Sequence, residues 1–552
     1  MRARLLWRAA LIALSLLVAA VIVTAAVSQV KPPMSVQWIY SMGIATGKPN
    51  PPLVLGDRVY ISHSGTLHCL DTVTGAETWK FKPKAGHVTT APVAFKNLVM
   101  VGADDSEMYA LNASDGKPVW DQVCAGVVGG DPIILNDMLV FAAQEMVYGM
   151  DPTTGGLKWI CSMSAPVSEG PVTDGAMLYF LCQDGSLQSV DATAGRFRWA
   201  VRLRTGPGAF PPIVAGQRII VASGKTLISV SRTGAVSWSA DLPLAVGGRP
   251  TLVGDQLYVP TVSGELPGAE RQAIQRISPT QIVAGAGQIL VLYPRSGRQQ
   301  RSAPYAVSGT ASSPPLVDAG TLFEGTANAL IYALNQETGA VNWIYRCIAA
   351  DQPLDEASNY GIYTPLAVGG DALYCLAGSG DLYSLSASAP DSAGPVFSHM
   401  KPESSDALPG ARPVDVIFTV TDQATGVDPA SIQVTYDGTP VQTEFEPTSG
   451  EVRFHVRSPK DGVHIVKAMA KDYRGNGHTD QWSFLTDASI KPPASTQPGR
   501  GTTRGGTRGG QTGGRGGGGG GRGGGGGGRG GGGGGGGRGG GGGGMRGGGG
   551  GY

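Results

Sequence analysis

Cysteine pairs of the kinds that bind metals or perform redox chemistry are missing from this sequence. Its six cysteines include no Cys-Cys and no Cys-x-x-Cys pair, so there is no zinc signature and no recognisable disulfide framework. Buried free thiols are the simplest interpretation, while an even number of cysteines leaves one or two bridges open in an oxidising compartment. The cysteines are Cys69, Cys124, Cys161, Cys182, Cys347 and Cys375.

Catalytic sequence motifs are also missing. The chain contains no Gly-x-Ser-x-Gly, no Walker-type loop and no His-Glu-x-x-His, which excludes the enzymes recognised by those motifs. No dense cluster of Asp, Glu and Asn occurs in the sequence, although calcium needs about six to eight oxygen ligands. Asp131, Glu169 and Glu324 could lie near a central channel, but solvated or strand-capping acids are the simpler interpretation.

One long apolar run stands near the amino terminus, at residues 9–27, and three arginines precede it. Its length is nearer the about 20 residues of a membrane-spanning helix than the about 7–15 of a secretory signal. We therefore predict a signal anchor over residues 1–30 with the body outside the cytoplasm; cleavage after the run, which would give a secreted protein, is the alternative. The first cysteine is Cys69, so a bacterial lipoprotein anchor is excluded.

A motif that recurs about every forty residues decides the architecture. One copy reads LIYALNQETGAVNWIY from Leu330 to Tyr345. An apolar strand leads into an Asp or Asn turn that ends in glycine, and this predicts a β-hairpin because glycine accepts positive φ. A tryptophan at a fixed place on the returning strand can fill the gap between neighbouring sheets. The docking tryptophans are Trp38, Trp79, Trp120, Trp159, Trp199, Trp238 and Trp343.

Each repeat also holds two upstream strands, the first of them opened by proline. Four short strands cannot bury both faces of a sheet alone, so we predict that the repeats stack radially into a propeller. Eight strand-opening prolines indicate eight blades, but seven returning strands follow, one of them with a degenerate Arg301 in the tryptophan position. We predict that Ser35 to Met42 supplies the eighth returning strand and closes the ring, which removes an exposed edge.

The pattern Ala-x-Asp-x-x-Thr-Gly-x-x-x-Trp resembles the tryptophan-docking repeat of the pyrroloquinoline-quinone (PQQ) propeller family, over about residues 34–389. One branch of that family, the quinoprotein alcohol dehydrogenases, holds PQQ and calcium in the central funnel; the other contains cofactor-free scaffolds such as BamB. The resemblance to the dehydrogenases implies a vicinal disulfide and a tryptophan floor, and the sequence offers neither. We predict a non-catalytic scaffold with no catalytic residues, cofactor or metal, and a PQQ- and calcium-dependent dehydrogenase is the alternative.

Two insertions mark one face of the predicted propeller. One interrupts blade six at about residues 263–287, and the other joins blade seven to blade eight at residues 347–363. Both connections leave an antiparallel blade from the same end, and loops on a rigid scaffold concentrate binding groups. We predict that this face binds an envelope protein or glycan, and a tolerated loop without function is the alternative. The candidate contact residues are Glu265, Glu270, Arg271, Arg276, Asp355, Glu356, Tyr360 and Tyr363.

The pattern changes after Pro390 to short alternating strands. About seven strands in roughly 95 residues predict a β-sandwich. The phrases DQATGVDP, DGVH and DYRGNG resemble bacterial Ig-like modules of cell-surface proteins. Asp422, Asp428 and Asp472 could bind calcium at a domain junction, although turn capping is the simpler role.

The segment after Gly499 is almost entirely glycine, with eight arginines and no acid. It cannot form a core, so we predict a flexible coil. Its interpretations are an inert spacer, a loose contact with anionic envelope polymer or lipid, and binding of nucleic acid. The predicted anchor disfavours nucleic acid because it places this segment outside the cytoplasm.

Together these patterns predict an all-β protein of the bacterial cell envelope. The predicted segments are a signal anchor (1–30), an eight-bladed propeller (34–389), an Ig-like sandwich (391–488) and a disordered Gly/Arg-rich tail (489–552). One propeller face would make the functional contacts, and the sandwich would be a spacer or a second contact.

Overall fold

The computed structural model describes residues 30–44, 50–203, 210–264, 286–348, 360–410 and 412–490. Two compact units are present, Met1–Pro492 and Pro493–Tyr552, and every described residue belongs to the first. The predicted anchor and nearly all of the predicted tail lie outside the described residues. Within the described ranges, no helix has the length and apolar character needed to cross a bilayer.

Eight four-stranded antiparallel sheets, called blades here, make up most of the described chain. The first strand of the chain, β1 (Ser35–Ser41), belongs to the last blade. Blade 1 contains β2 (Leu53–Leu55), β3 (Arg58–His63), β4 (Thr66–Asp71) and β5 (Glu77–Phe81). Blade 2 contains β6 (Val93–Phe95), β7 (Leu98–Gly102), β8 (Glu107–Asn112) and β9 (Pro118–Val123). Blade 3 contains β10 (Val128–Leu135), β11 (Met138–Ala143), β12 (Met146–Met150) and β13 (Leu157–Ser162).

The remaining blades follow in chain order. Blade 4 contains β14 (Val167–Thr173), β15 (Met177–Cys182), β16 (Ser186–Asp191) and β17 (Phe197–Arg202), and blade 5 contains β18 (Ile213–Ala215), β19 (Arg218–Ser223), β20 (Thr226–Ser231) and β21 (Val236–Asp241). Blade 6 contains β22 (Thr251–Val253), β23 (Gln256–Pro260), β24 (Ala286–Leu292) and β25 (Tyr305–Ser308). Blade 7 contains β26 (Leu316–Asp318), β27 (Thr321–Gly325), β28 (Leu330–Asn335) and β29 (Val341–Arg346). Blade 8 contains β30 (Ala367–Gly369), β31 (Ala372–Leu376), β32 (Asp381–Ser386) and β1.

The amino-terminal strand closes the ring. β1 pairs antiparallel with β32, from Ser35 opposite Ser386 to Ser41 opposite Asp381. The prediction that residues 35–42 complete the eighth blade is therefore confirmed. Because the first and last strands of the array share one sheet, opening the ring would require breaking a hydrogen-bonded ladder as well as an apolar interface.

Tryptophans on the returning strands connect each blade to the turn of the next. Trp38 donates its Nε1 hydrogen to the backbone oxygen of Thr72 at 2.9 Å, and Gly75 ends that turn at φ +68°. A Cβ on Gly75 would lie 2.5 Å from the Trp38 ring, so both the backbone angle and the close approach require glycine. The other docking contacts are Trp79 to Ala113, Trp120 to Pro152, Trp199 to Arg232, Trp159 against Gly195 and Trp238 against Gly297.

A tyrosine is the docking residue of blade 6, which corrects the prediction that Arg301 stands in the tryptophan position. The ring of Tyr305 lies against Gly339 in the blade 7 turn, and its hydroxyl donates to the Gln336 backbone oxygen at 2.5 Å. The Arg301 guanidinium lies over the Tyr305 ring, 4.6 Å from the centroid. The strand begins late after its turn, so Tyr305 takes the docking position, while Arg301, at the predicted spacing, donates to the Glu337 and Thr338 backbone oxygens of the same turn.

The strands after the propeller form a two-sheet β-sandwich. They are β33 (Val396–Lys401), β34 (Ala407–Pro409), β35 (Val414–Thr421), β36 (Gln433–Tyr436), β37 (Thr439–Val441), β38 (Glu444–Glu446), β39 (Glu451–Val456), β40 (Gly462–Lys471) and β41 (Gly477–Asp487), with a 3-10 turn at Pro429–Ser431. One sheet has the order β33-β35-β39-β38 and the other β34-β41-β40-β36-β37. Phe418 and Trp482, from opposite sheets, belong to one buried core. The Ig-like assignment stays a prediction.

Candidate functional site

The connections between blades emerge on one face of the ring, called the insertion face here. β29 ends at Arg346 and β30 begins at Ala367, while β23 ends at Pro260 and β24 begins at Ala286. Because consecutive strands of a blade run in opposite directions, both of these long connections leave from the same end. The inner strand of every blade also starts there, so the insertion face surrounds the mouth of the central channel.

Six of the eight predicted contact residues lie outside the described residues, namely Glu265, Glu270, Arg271, Arg276, Asp355 and Glu356. Tyr363 is 47% exposed, which leaves much of its ring accessible on the insertion face. Tyr360 is 7% exposed and packs with Tyr345 and Ile362 in a buried cluster. The prediction that Tyr360 offers an exposed contact is therefore wrong, because its ring fills the core between blades 7 and 8.

A cavity of about 410 Å³ opens in the central channel. Residues in or just before the inner strands of blades 4 to 8 line it, including Pro212, Pro250, Pro315 and Pro365. Proline has no N–H to donate, so these positions give the cavity an apolar rim. Arg249 supplies a positive charge to the same lining.

Two acids act on Arg249 across the channel. Desolvation lowers the pKa of Arg249, and the negative charges of Asp131 and Glu169 oppose that shift. Asp131 also accepts the backbone amide of Ala91 at 3.0 Å, so it ties the inner strand of blade 3 to the residues just before the inner strand of blade 2. A single cation balanced by two carboxylates does not make this channel an attractive site for a polyanion.

Glu324 lies in the interface between blades 6 and 7 and not in the channel. It is fully buried, its Cα lies opposite Tyr332, and it shares a strand face with Leu322 in the apolar cluster of that interface. Neither carboxylate oxygen has a hydrogen-bond partner of ordinary geometry. Burial raises the pKa of Glu324 well above its usual value, and the Ser313 backbone amide opposes this only in part.

The sandwich docks on the outer strands of blades 7 and 8 through its loop 422–426. Trp343 donates its Nε1 hydrogen to the backbone oxygen of Thr425 at 2.8 Å. The Tyr345 hydroxyl donates to the Gln423 oxygen at 2.9 Å, and the Val36 amide donates to the Ala424 oxygen at 3.0 Å. These contacts join the sandwich to β29 of blade 7 and to β1, the strand that closes the ring.

The loop 422–426 has the same chemistry as the docking turns of the propeller. It reads Asp-Gln-Ala-Thr-Gly, and the blade 1 turn at 71–75 reads Asp-Thr-Val-Thr-Gly. Asp422 Oδ1 accepts three amides of its own loop at 2.8–3.1 Å, as Asp71 Oδ1 accepts two at 2.9–3.1 Å. Residues 386–390, where blade 8 would place such a turn, read Ser-Ala-Ser-Ala-Pro. The sandwich therefore supplies the turn that caps Trp343.

Three aspartates converge beside this loop. One oxygen each from Asp391, Asp422 and Asp472 lies within 4.8 Å of the others. Burial raises the pKa of Asp422, and the charge of Asp391 adds to that shift. Oxygen-only sets of this kind can hold a hard divalent cation. Of the three acids singled out in the sequence, Asp428 lies elsewhere and caps the 3-10 turn by accepting the Ala430 amide at 3.0 Å; Asp391 was missed because no turn motif marks it.

Comparisons with known proteins find similar repeats. A family model described as outer membrane protein assembly factor BamB matches residues 5–126, 63–168 and 143–277. The BamB of Legionella pneumophila (strain Paris) is 26% identical over 191 residues, which are 32% of this chain and 50% of that protein. A quinohemoprotein alcohol dehydrogenase of Comamonas testosteroni is 27% identical over 150 residues, 23% of this chain and 21% of that protein. The solved BamB of Moraxella catarrhalis superposes with a TM-score of 0.46 at 15% identity, covering 64% of this chain and 99% of that one.

The closed ring of blades, each docked on the next by an aromatic side chain, defines an all-β protein with a propeller body. Its repeats match those of the PQQ-like propeller family, of BamB type, over residues 5–277. The aligned part of the chain spans half the length of the Legionella relative and about a fifth of the dehydrogenase.

Proposed function

We propose that this protein is a non-catalytic scaffold of the bacterial cell envelope that binds a protein partner through the insertion face. The main support for this proposal is the position of the seven docking tryptophans. In the described ring they lie between one blade and the next, or against the sandwich, and none of the seven lines the channel cavity. The chain therefore uses its tryptophans to hold the ring together and not to form a floor under a planar cofactor.

The residues present do not fit PQQ. PQQ is a polyanion. Arg249 brings a positive charge to the cavity lining, but the negative charges of Asp131 and Glu169 already balance it. No two of the six cysteines are adjacent in the sequence, so a vicinal disulfide cannot face a quinone. The aspartates that could share a cation lie at the junction with the sandwich, among residues that do not line the cavity.

Similarity to proteins described as outer membrane protein assembly factors supports an envelope location and a protein as the partner. The arrangement of the insertion face supports the same partner class, because a rigid ring that presents long connections resembles the loop-on-scaffold surfaces that bind proteins. A glycan is the alternative ligand of the insertion face, whereas binding of anionic polymer, lipid or nucleic acid rests on the arginine-containing tail, which lies outside the described residues.

A photo-crosslinking amino acid at Tyr363 tests the proposal. We expect a discrete protein adduct in the native envelope, since this ring is about half exposed on the insertion face. The matched control is the same photo-reactive residue at Val73, which is 66% exposed in a turn on the opposite face. Adducts at Val73 with none at Tyr363 would place the binding surface on the face opposite the insertion face and contradict the proposal. Equal labelling at both positions would argue against a specific partner.

The dehydrogenase alternative has a direct assay. With PQQ, calcium and a primary alcohol, we expect the purified protein to leave a redox dye unreduced, because the positive charge that Arg249 brings to the channel is already balanced by Asp131 and Glu169. A quinoprotein alcohol dehydrogenase under the same conditions is the positive control. Dye reduction that requires PQQ and is lost in Arg249→Ala would contradict the scaffold proposal and assign the activity to the channel.

A further inference from the structure

We propose that Cys347 and Cys375 form a disulfide that ties blade 7 to blade 8. No sequence spacing marks this pair, since the two residues lie in different blades and are separated by the whole blade 7–8 connection. The proposal rests on the proposed envelope location for its oxidising environment. The pairing itself rests on the geometry of the blade interfaces.

The geometry repeats around the ring. The residue four places after the docking tryptophan packs against one position on the second strand of the next blade. Members of each pair share an apolar cluster: Met42 with Ile61, Cys124 with Phe141, Met163 with Phe180, Leu203 with Val221 and Leu242 with Val259. Cys347 follows Trp343 by four residues, and the strand registers place Cys375 at the partner position of blade 8.

Cysteine occupies both positions at this one interface. Blade 2 also ends its returning strand with a cysteine, Cys124, but Phe141 stands at the partner position of blade 3. Between blades 7 and 8, Cys347 and Cys375 are both fully buried in one cluster. Their side chains are in hydrogen-bonding contact, and burial together with that contact raises the pKa of the Cys347 thiol.

Disulfide formation here needs an external oxidant, and a disulfide-bearing thiol oxidoreductase or glutathione disulfide supplies it. The thiolate of one cysteine attacks a sulfur of the oxidant, which releases one reduced thiol and leaves a mixed disulfide. The second cysteine then attacks the protein sulfur and displaces the other reduced thiol. Two protein thiols are oxidised and one oxidant disulfide is reduced to two thiols. Because both thiols are fully buried in the folded protein, an oxidant cannot reach them there, and the exchange belongs to the stage before blades 7 and 8 close.

The bridge would restrain the connection that carries Tyr363. Cys347 directly follows β29 and Cys375 lies in β31, so a covalent bond would join the two strands between which Tyr363 lies in the chain. The bridge would also fix the end of β29, the strand that presents Trp343 and Tyr345 to the sandwich.

Thiol counting and peptide mapping on the full chain test the pairing. Protein recovered from the native envelope is denatured, alkylated without reductant and digested; we expect four alkylated cysteines and one linked peptide pair containing Cys347 and Cys375. In Cys375→Val, which carries the residue found at the equivalent position of blades 2, 5 and 6, the linked pair disappears and Cys347 becomes alkylated. The matched control Cys69→Val keeps the linked pair.

A refolding experiment separates the pairing from the location. Denatured, reduced full-length protein is refolded in a mixture of reduced and oxidised glutathione and mapped in the same way. Six alkylated cysteines after refolding, or a bridge between any other pair, overturns the proposal. A Cys347–Cys375 bridge after refolding supports the pairing, and its absence from protein taken from cells then counts against the envelope location. A bridge in cells without any adduct at Tyr363 counts against the proposed binding face alone.

Discussion

Replacing Trp343 with alanine should lower the free energy of unfolding by about 3–5 kcal/mol, the usual loss for a buried tryptophan, and should loosen the sandwich from the propeller. The Trp343 side chain is fully buried and stacks on Tyr345 with ring centroids 5.7 Å apart. Its Nε1 hydrogen bond to Thr425 joins residues that are 82 positions apart in the chain. Truncation therefore removes a core side chain and one of the contacts that hold two domains together.

Chemical denaturation followed by limited proteolysis measures both effects. The control is Trp120→Ala, because Trp120 is partly exposed and docks within the propeller on the Pro152 oxygen at 3.1 Å. We expect a smaller loss of stability for that variant and no new cleavage near residue 390. If Trp343→Ala loses stability but cleavage between the propeller and the sandwich does not increase, the sandwich must be held mainly by contacts other than that of Trp343.

The second large effect is expected at Glu324, where replacement by glutamine should stabilise the protein at neutral pH. The pKa of Glu324 is raised in the folded protein, so the folded state favours the protonated carboxyl. Below the unfolded pKa, both states are protonated and Glu324 carries no electrostatic penalty. As the pH rises from the unfolded towards the folded pKa, the unfolded state ionises and the wild type loses about 1.4 kcal/mol per pH unit.

Unfolding measured from pH 4 to pH 8 tests this prediction. The stability advantage of Glu324→Gln should be small at pH 4 and should grow as the pH rises. Glu337→Gln, at an exposed turn position, is the matched control and should show no such growth. An advantage that is the same at every pH would mean that Glu324 is not a buried protonated acid, and a loss of stability at neutral pH would indicate a partner for its carboxylate.

The position of Glu324 is occupied by uncharged residues in the other seven blades. An uncharged side chain, glutamine or even leucine, should therefore be tolerated at 324. The strand registers place Ile61, Val101, Phe141, Phe180, Val221, Val259 and Cys375 there in the other blades. A charged residue at a position that is apolar elsewhere lowers stability unless it is paired. We have no functional account of Glu324.

Local turn chemistry made the propeller predictable from the sequence. The Asp-x-x-Thr-Gly turn and the tryptophan four residues later act within about a dozen residues, so each repeat reveals its own hairpin. The count of prolines against returning strands indicated that the amino-terminal strand had to complete the last blade, as its pairing with β32 shows. The same spacing failed at Arg301, because a longer turn moved the docking role to Tyr305.

Contacts between distant segments could not be predicted in this way. Tyr360 and Tyr363 stand in one insertion, and a sequence cannot show that the first ring enters the core while the second remains exposed. Asp391 joins Asp422 and Asp472 only because the linker, the docking loop and a later turn meet at the same place. Aspartates and tyrosines are common in turns and loops, so their presence alone predicts no site.

The sequence by itself determined the repeat, the all-β class, the ring and the change of pattern after Pro390. Hydrophobic alternation and turn residues act between residues that are close in the sequence, so they can be recognised without the tertiary structure. The tertiary structure alone decided that the sandwich caps Trp343, that Glu324 is buried between blades, and that Cys347 meets Cys375. Each of these depends on which side chains from separate blades face each other, and that follows from the register and closure of the whole ring.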